Sequence, residues 1–371
     1  MIAIDYTPAC EQRAGIGRYV RELIRALMQI DHETPYRLFV SGAKKNLPPL
    51  PHNFIWKPTR LSPKTLARVW HRLHIPLPVE FFTGKIKLYH ATDFVLPPIW
   101  AESILTVHDL SFIKVPEAAS PSLKRYLDSV VPRSIRHATH ILADSQATKD
   151  DIVNIYGTSP QKITVLYSGV DSYFKPSLER TQEIRRRYGI PAGQPYIFSI
   201  GTVQPRKNYV RLIEALKLLH QRGYDISLVI AGGKGWLDNP IYATIKSSGV
   251  QDYVQMIGYA DDQDLPGLYS DAICTAFPSL YEGFGLPILE SMACGTPVLT
   301  SDVSSLPEVA GDAAIIVNPY DLDDITHGLE KLITDTQLRN QLIIKGYERV
   351  KSFTWENAAY QLANIYQRMI R

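Results

Sequence analysis

The sequence predicts an α/β protein made of two doubly wound domains, and three observations support this. The chain has 371 residues, whereas a single hydrophobic core seldom grows beyond roughly 250–300 residues. In both halves, short apolar segments alternate with segments of helical periodicity, which favours parallel sheets with crossover helices. The alternation weakens between residues 169 and 190. We therefore expect a linker there and a cleft between the two domains.

The elements of the first half follow from its apolar pattern. Residues 18–30 carry Val20, Leu23 and Leu27 on one helical face, which is typical of a helix packed on a sheet. The predicted strands are 2–5, 36–41, 88–90, 104–107, 141–143 and 164–166, and the other predicted helices are 122–137 and 146–156.

The second half repeats this alternation. Its predicted strands are 196–200, 226–231, 254–257, 273–277, 297–300 and 314–317. Its predicted helices are 209–221, 240–247, 265–269, 287–293 and 322–334. A charged segment up to Tyr188 precedes the first of these strands and is also helix-like.

Composition limits the class of protein. Hydrophobic residues make up 45% of the chain and charged residues 21%, as in soluble globular proteins. No apolar run approaches the roughly 18–20 residues that cross a bilayer, and because residues 2–5 already form a strand-like segment, we expect no signal peptide. Cys10, Cys274 and Cys294 are far apart, which argues against a disulfide or metal framework. We expect a cytoplasmic protein.

Charge is distributed unevenly along the chain. Residues 1–170 contain 21 Lys and Arg against 14 Asp and Glu, whereas residues 171–371 contain 19 against 23. No acid occurs between Glu33 and Glu80. That stretch carries Arg37, Lys44, Lys45, Lys57, Arg60, Lys64, Arg68 and Arg72, with Phe54, Trp56 and Trp70 among them. Such a surface suits an anionic membrane or a phosphate-bearing acceptor. An ordinary solvated basic face is the alternative, and no nucleic-acid-binding motif accompanies the charge.

Two carboxylates stand out in the second half, separated by seven residues. Glu282 follows the strand predicted at 273–277, and Glu290 is expected in the first turn of the helix behind it. In open α/β sheets, ligands bind in the crevice at the carboxyl ends of the strands. An acidic loop with a Glu favoured by the positive end of a helix is the alternative.

Arg206 and Lys207 lie between the strand at 196–200 and the next helix. Adjacent cations at a helix start are electrostatically unfavourable, because cations prefer the opposite end. An anionic ligand would explain them, since Arg binds phosphate bidentately and Lys supplies a point charge. Surface solubility is the alternative.

Two weaker candidates lie in the first half. Gly15 and Gly17 precede a predicted helix, where backbone N–H groups attract anions, although a plain turn would look the same. His108 ends the strand at 104–107. It could donate a hydrogen bond or relay a proton, or simply cap the strand. His90 ends the preceding strand, and we interpret it as structural.

Two further motifs each allow two interpretations. Asp262-Gln263-Asp264 fits an Asp-x-Asp metal motif, but it precedes a helix, where capping acids belong. The glycine-rich turn at 232–235 could be an anion-binding nest or a plain turn. No serine or cysteine lies on a recognisable nucleophile turn.

Taken together, these motifs resemble the retaining glycosyltransferases of family 4, which have the GT-B fold. The resemblance is strongest from Gly201 to Pro319. It includes Gly-Thr-Val-Gln-Pro-Arg-Lys-Asn at 201–208, Glu-Gly-Phe-Gly-Leu-Pro-Ile-Leu-Glu at 282–290 and Leu-Pro-Glu-Val-Ala-Gly-Asp-Ala-Ala at 306–314. Thr-Val-His-Asp-Leu at 106–110 and Gly-Ile-Gly-Arg at 15–18 match weaker signatures.

The resemblance implies two Rossmann-like domains that face each other across a cleft. The first comprises residues 1–170 on the acceptor side. The second comprises residues 171–354 and binds the nucleotide-sugar donor. A C-terminal helix, for which residues 355–369 have a suitable apolar face, crosses back to the first domain.

The resemblance also implies a role for each candidate residue. Glu290 would bind the donor ribose, and Glu282 would hold the transferred sugar. Arg206 and Lys207 would neutralise the diphosphate. The backbone amides of Phe284, Gly285 and Leu286 would complete that anion site, His108 would contact the sugar, and Gly15 and Gly17 would let the acceptor-side loop approach the phosphates. Many members carry an Arg where this chain has Thr202, and we expect Arg206 to supply that charge.

The implied reaction moves a hexose or deoxyhexose, with mannose favoured, from a GDP- or UDP-sugar to a glycan or lipid-linked acceptor in cell-surface polysaccharide synthesis. It retains the anomeric configuration and requires no metal or other cofactor. A peripheral position at the inner face of a membrane fits a lipid-linked acceptor. The alternatives are a nucleotide-sugar epimerase of the same fold and a non-catalytic nucleotide-sugar-binding partner in a glycan assembly complex.

Overall fold

The computed structural model describes residues 1–12, 15–42 and 47–370. Its chain divides into two compact units. The first comprises Met1–Leu110, Ser122–Gly169 and Thr354–Arg371, and the second comprises Ser111–Pro121 and Val170–Phe353. Each unit contains one parallel sheet, so the predicted α/β class is confirmed.

Thirteen strands are present in the described residues, and all their pairings are parallel. They are β1 (Ile2–Asp5), β2 (Tyr36–Ser41), β3 (Phe54–Thr59), β4 (Leu88–Ala91), β5 (Glu102–Val107), β6 (His140–Ala143), β7 (Ile163–Val165), β8 (Tyr196–Ile200), β9 (Ser227–Ala231), β10 (Val254–Gly258), β11 (Cys274–Phe277), β12 (Val298–Ser301) and β13 (Ala314–Val317). The first sheet has the order β3-β2-β1-β4-β5-β6-β7, and the second has the order β10-β9-β8-β11-β12-β13.

The helices of the same ranges cover these sheets. They are α1 (Thr7–Glu11), α2 (Ile16–Ile30), α3 (Pro63–Ala67), α4 (Glu80–Thr83), α5 (Ser111–Lys114), α6 (Pro121–His137), α7 (Gln146–Tyr156), α8 (Thr181–Tyr188), α9 (Tyr209–Gln221), α10 (Asn239–Ser248), α11 (Leu265–Ser270), α12 (Leu286–Ala293), α13 (Leu306–Ala310), α14 (Leu322–Thr334), α15 (Thr336–Val350) and α16 (Trp355–Ile370). A π-helical turn, Arg68–Arg72, follows α3. None of the helices described combines the length and apolar character that crossing a bilayer needs.

Strand order fixes where ligands can bind. In each sheet the order reverses once, between β1 and β4 and between β8 and β11. At such a switch point the flanking loops diverge and leave a crevice at the carboxyl ends of the strands. The strands beside it are buried on both faces, as in β11, where every residue is buried, because helices cover a parallel sheet on both sides.

The C-terminal helix α16 belongs to the first unit, as predicted. It packs on α2 and β4, and Tyr366 on α16 is bonded to the buried His90 through its hydroxyl, 2.6 Å from Nδ1. The other ring nitrogen of His90 lies 2.8 Å from Thr106 Oγ1. Burial lowers the pKa of His90 to about 3. His90 is therefore a neutral, structural residue that ties α16 to the sheet.

Residues 111–121 differ from the sequence prediction, which assigned them to the first domain. Val115 and Ala118 are buried against Tyr281 of the second unit. The indole Nε1 of Trp236 donates to the carbonyl oxygen of Ala118 at 2.7 Å. This segment therefore belongs to the second unit, although along the sequence it interrupts the first unit between Leu110 and Ser122.

Part of the basic stretch of the first half is buried or hydrogen-bonded within the unit, whereas Arg60, Lys64, Arg68 and Arg72 are exposed. Phe54 is buried and stacks on Tyr36, and Trp70 is buried with its Nε1 bonded to the Leu77 carbonyl oxygen. Arg37 donates to the carbonyl oxygens of Thr83 and Lys85. Lys44 and Lys45 lie outside the described residues.

Candidate active site

A cluster of two cations and one carboxylate lies at the switch point of the second sheet. Arg206 Nη1 donates to Glu282 Oε2 at 2.5 Å, and Lys207 Nζ donates to Glu282 Oε1 at 2.6 Å. The two cations follow β8, and Glu282 follows β11. Because β8 and β11 are neighbours, the sheet itself brings the two loops together.

Burial and charge oppose each other at Glu282. The residue is only 8% exposed, and burial by itself raises the pKa of its carboxyl group. The charge of Arg206, and then that of Lys207, outweighs this effect and lowers the pKa to about 2. Glu282 is therefore an anion at neutral pH, and the cluster as a whole has an excess of positive charge.

Backbone contacts fix the two loops against each other. Arg206 Nη1 also donates to the Tyr281 carbonyl oxygen at 2.6 Å, and the Leu280 amide donates to the Arg206 carbonyl oxygen at 2.9 Å. The Glu282 amide donates to Ser304 Oγ at 2.9 Å. Arg206 thus points at the Glu282 loop, and the prediction that it supplies the charge missing at Thr202 remains a prediction.

Arg206 and Lys207 lie between β8 and α9, before the helix that the sequence predicts at 209–221. They lie in a short 3₁₀ turn, Pro205–Lys207, and Asn208 separates this turn from α9 with a φ of 61°. Asparagine tolerates this left-handed conformation better than most residues. Its Nδ2 donates to the carbonyl oxygens of Pro278 and Pro319, which anchors the turn.

Glycines let the neighbouring loops pack closely under Lys207. A side chain at Gly201, whose φ is 146°, would meet Lys207 Cε at 2.8 Å. A side chain at Gly232 would collide with the Gly201 carbonyl oxygen, and one at Gly235 with that of Val203. The turn at 232–235 is therefore a packing element that supports the cation loop. The ammonium group of Lys207 lies 4.5 Å from the centre of the Phe277 ring.

Glu290 lies in different surroundings from Glu282. It is the fifth residue of α12, so it lies just beyond the first turn, in which the sequence predicts it. Its side chain is buried, and Tyr269 Oη donates to Glu290 Oε2 at 2.7 Å. The tyrosine thus fixes one oxygen of this carboxylate.

The segment between the two acids begins helix α12. Gly285 is its N-cap, with a φ of 121° that favours glycine, and Leu286 is its first residue. Amide groups in a first helical turn have no acceptor within their own helix. Ser305 Oγ bonds to the carbonyl oxygens of Glu282 and Phe284 at 2.9 and 2.6 Å, which holds this segment in place.

His108 follows β5 in the first unit and is held from both sides. Its Nδ1 lies 2.8 Å from Asp144 Oδ2, and its Nε2 lies 2.9 Å from the Thr92 carbonyl oxygen. A carbonyl oxygen and a carboxylate both accept, so both ring nitrogens carry hydrogen. Burial alone lowers the pKa of His108, but Asp144, aided by Asp93, raises it to about 9. His108 is therefore an imidazolium at neutral pH.

Asp144 is a residue that the sequence interpretation missed. It follows β6 directly, as His108 follows β5, so the strand-end rule that selected His108 would also have selected it. It is buried, and its Oδ1 has no hydrogen-bond partner in the described residues. Tyr19 of α2 packs edge-on against the His108 ring at 5.0 Å.

The two glycines near the N-terminus have separate explanations. Gly15 is the N-cap of α2 with a φ of 58°, and space around it is open. Gly17 lies inside the first turn of α2, where a side chain would collide with the Gln12 carbonyl oxygen. Close packing of α1 and α2 thus requires Gly17, and a role for either glycine in ligand binding remains a prediction.

The Asp-x-Asp motif is structural. Asp264 is the N-cap residue of α11 but makes no capping bond. Its Oδ2 instead accepts from Arg187 Nη1 at 2.7 Å and from the Tyr188 hydroxyl at 2.9 Å, which ties α8 to α11. The described residues contain no group of three His, Cys, Asp or Glu side chains arranged for a metal ion.

Comparison with known families covers most of the chain. Residues 13–173 match the family described as Glycosyltransferase Family 4, and residues 180–349 match the family described as Glycosyl transferases group 1. The O-antigen chain mannosyltransferase B of Escherichia coli is 31% identical over 367 residues, which cover 95% of this chain and 96% of that protein. The serotype-specific mannosyltransferase WbdA of Escherichia coli is 32% identical over 79% of this chain, but the match spans only 36% of that longer protein.

Solved structures share the fold at low sequence identity. Sucrose-phosphate synthase from Thermosynechococcus elongatus superposes with a TM-score of 0.77 at 20% identity over 99% of this chain and 98% of that one. WaaG, a glycosyltransferase involved in lipopolysaccharide biosynthesis, superposes with a TM-score of 0.73 at 18% identity over 98% and 99%. The chain therefore belongs to glycosyltransferase family 4, and it has the GT-B fold.

Proposed function

We propose that this glycosyltransferase moves a hexose from a nucleotide-sugar donor to a growing cell-surface glycan, and mannose is the sugar we favour. The transfer retains the anomeric configuration. The observation that carries the proposal is the convergence of Arg206 and Lys207 on Glu282 at the switch point of the second sheet. The relative named as an O-antigen chain mannosyltransferase favours mannose and a polysaccharide acceptor.

The proposed chemistry uses the excess positive charge of this cluster. A nucleoside diphosphate gains negative charge as the bond to the sugar breaks, and fixed cations in a buried site stabilise that charge strongly. Arg206 and Lys207 would give up some of their hydrogen bonds to Glu282 and donate to the diphosphate instead. Glu282 keeps them in place beforehand and would then be available to a sugar hydroxyl group. These two cations supply the charge that a divalent metal ion supplies in other reactions, so we propose that no metal is required.

The remaining predicted roles concern the nucleotide and the sugar. Glu290 would accept from the ribose hydroxyl groups, with Tyr269 fixing its other oxygen. The amides of Phe284, Gly285 and Leu286 would complete the phosphate site at the start of α12. His108, held as an imidazolium, would contribute a fixed positive charge and a donor rather than a base.

We propose same-face attack for the transfer step. The donor phosphate leaves, and its oxygen takes the proton of the acceptor hydroxyl group as the new glycosidic bond forms on the same face. A covalent sugar adduct trapped on Glu282 would contradict this step. The acceptor is proposed to be a glycan or lipid-linked glycan, and the excess of basic residues in the first half favours the lipid-linked form at the inner face of a membrane.

The first experiment is a thermal-shift screen with GDP-, UDP-, ADP- and dTDP-sugars, with and without a chelator. A donor at about 100 times its dissociation constant should stabilise the protein by roughly 2.7 kcal/mol. Turnover with the best donor and a mannan acceptor should then give an α-linked product by NMR, also in the presence of the chelator. Donor binding without turnover on any acceptor would instead favour a non-catalytic binding partner. Conversion of the donor without an acceptor would favour an epimerase.

A further inference from the structure

A cavity of about 450 Å³ lies in the first unit, away from the candidate active-site residues. Ser103 near the start of β5 and Thr139 just before β6 line it. His108 and Asp144 follow the opposite ends of these same two strands. Six residues of strand β5 correspond to roughly 16 Å between the first and last Cα atoms. The cavity is therefore separate from the carboxyl edge of the sheet.

The walls of the cavity are mainly apolar and rigid. Trp70 of the π-helical turn forms one side, and its Nε1 is already bonded to the Leu77 carbonyl oxygen at 2.8 Å. Pro97 and Pro98, in the loop that leads from β4 to β5, also line the cavity. Proline fixes the backbone, so the cavity is preformed. A pocket of this kind binds the apolar part of a ligand.

Arg133 is the one permanently charged residue among those that line the cavity. Arg133 and His137 come from the last turns of α6, beside His71 and His74, and no Asp or Glu is among the lining residues. Burial, together with the charge of Arg133, lowers the pKa of His71 to about 4. In the described part of the chain, no carboxylate lies within ion-pair distance of Arg133. An arginine in such surroundings suits a phosphate group.

Large apolar side chains are exposed around this cavity. Trp100 lines its mouth and is 75% exposed, and Phe81, with its ring centre 6.0 Å from that of Trp100, is 68% exposed. Leu73, in the segment that follows the π-helical turn, is 59% exposed. Glu80 Oε1 accepts from the amides of Trp100 and Ala101 at 2.9 Å, so the backbone that presents the indole is fixed. Tryptophan with exposed apolar neighbours is typical of a surface that meets the headgroup region of a bilayer.

We infer that this cavity is a binding site for a phosphate-bearing lipid of the bilayer. The phosphate contacts Arg133, the adjoining chain lies between Trp70 and the proline wall, and Trp100 and Phe81 enter the interface. The absence of acid in the lining and the excess of basic residues in the first half give the charge complementarity for an anionic lipid. This inference deepens the proposed lipid-linked acceptor and rests on it, because it explains how the enzyme reaches such a substrate.

The test uses the full-length protein and sedimentation with two kinds of vesicle, pure phosphatidylcholine and a mixture with 30 mol% phosphatidylglycerol. The wild type should bind the anionic vesicles. The Arg133→Gln variant should bind them roughly tenfold more weakly, because the lipid phosphate loses its charge-assisted hydrogen bonds to the guanidinium group. The Phe81→Ala/Trp100→Ala variant should bind at least roughly tenfold more weakly, since two apolar side chains no longer enter the interface.

Matched controls come from the same unit. Arg136→Gln removes an exposed arginine three residues along α6, and Tyr360→Ala removes an aromatic side chain that is 51% exposed on α16. Both should bind within twofold of the wild type. Glycerol 3-phosphate at millimolar concentration should not compete, because it lacks the chain. Equal binding of neutral and anionic vesicles, equal loss in Arg136→Gln, or full competition by glycerol phosphate would each overturn the inference.

A second readout separates this inference from the proposed function. Transfer to a soluble glycan acceptor without vesicles should be unchanged in Arg133→Gln and in Phe81→Ala/Trp100→Ala. If the wild type binds anionic vesicles but shows no transfer, the proposed function fails while the lipid site stands. If transfer proceeds normally and anionic vesicles are not bound, the lipid site is wrong and the transferase remains.

Discussion

In the second unit two cations share one carboxylate, whereas in the first unit one imidazolium is held between a carboxylate and a carbonyl oxygen. The carboxylate of each group is buried, and both groups follow the carboxyl ends of parallel strands. The Arg206–Lys207–Glu282 cluster has positive charge in excess, so an incoming anion can replace Glu282 as the partner. The His108–Asp144 pair uses both ring nitrogens internally. We infer that the first cluster responds to the donor, while the second sets a fixed charge and geometry.

The largest effect is expected from Lys207→Ala. This change removes one of the two cations that pair with Glu282, and with it the excess positive charge of the cluster. The turnover number should fall by roughly 10²–10³, as when one donor to a developing negative charge is deleted. Lys351→Ala is the control, because that lysine pairs with Glu348 at a site where both side chains are about two-thirds exposed. Steady-state kinetics and a thermal melt of each variant check the prediction. A loss below tenfold in the correctly folded variant would mean that Arg206 carries the diphosphate alone.

Glu282→Gln tests how the cluster depends on pH. The folded-state pKa of Glu282 is lowered from 4.5 to about 2, so the ion pairs stabilise the wild type above pH 4.5. This contribution, about 3 kcal/mol, is lost as the pH falls towards 2. The variant has no such group and should lack this part of the pH dependence. Urea unfolding between pH 3 and 6 measures the difference.

Glu330→Gln is the matched control for this change, because Glu330 pairs with Arg222 at a more exposed site, where both side chains are about 30% accessible. Exposed ion pairs contribute about 0–1 kcal/mol, so its pH profile should follow that of the wild type. If Glu282→Gln gave the same profile as Glu330→Gln, the two cations would not stabilise the folded carboxylate as we describe.

Asp144→Asn tests the other member of the comparison. The folded-state pKa of His108 is raised from 6.5 to about 9, so its stabilising contribution is fully present below pH 6.5 and is lost as the pH rises towards 9. Asparagine keeps an acceptor for Nδ1 but removes the charge. The pKa of His108 should fall, and the variant should be less stable by about 1–2 kcal/mol below pH 6.5 and nearly equal near pH 9. Part of the shift remains, because Asp93 and the Thr92 carbonyl oxygen also raise the pKa.

Side-chain NMR of His108 and urea unfolding against pH measure this effect. The control is Asp128→Asn, which breaks an exposed pair with Lys124 on α6 and should change neither the pKa of His108 nor the pH profile. An unchanged pKa of His108 in Asp144→Asn would show that the carboxylate does not set the charge of the imidazole.

The sequence predicted where the candidate residues lie along the chain better than it predicted what they contact. Apolar periodicity located β8 and β11, and the strand-end rule selected Glu282 and His108. Arg206 and Lys207 were selected because adjacent cations at a helix start are unfavourable. That β8 and β11 are adjacent follows from the order of the sheet, which long-range pairing decides. The contact between Glu282 and the two cations could therefore not be read from spacing.

The sequence analysis missed strand β3 and helix α15, because the apolar pattern of each is weak. Strand β3 contains Lys57 and Pro58 and lacks a clear apolar alternation, and it forms because it pairs with β2 at the edge of the sheet, where proline is tolerated. Helix α15 directly follows α14, with Asp335 between them as N-cap of the second. Only Leu342 and Gly346 of α15 are buried, so the apolar periodicity of this helix is weak.

The smallest effect is expected from Gly201→Ala, which tests how the cation loop is supported. The new methyl group would meet Lys207 Cε at 2.8 Å, and the end of a lysine side chain moves more easily than backbone does. The turnover number should therefore fall by about tenfold, which corresponds to about 1.4 kcal/mol, while the melting temperature falls only by a few degrees. Gly249→Ala is the control, since alanine is also strained at its φ of 79° but a side chain there meets nothing within 4 Å. Equal activity in the two variants would mean that the position of Lys207 does not depend on the space left by Gly201.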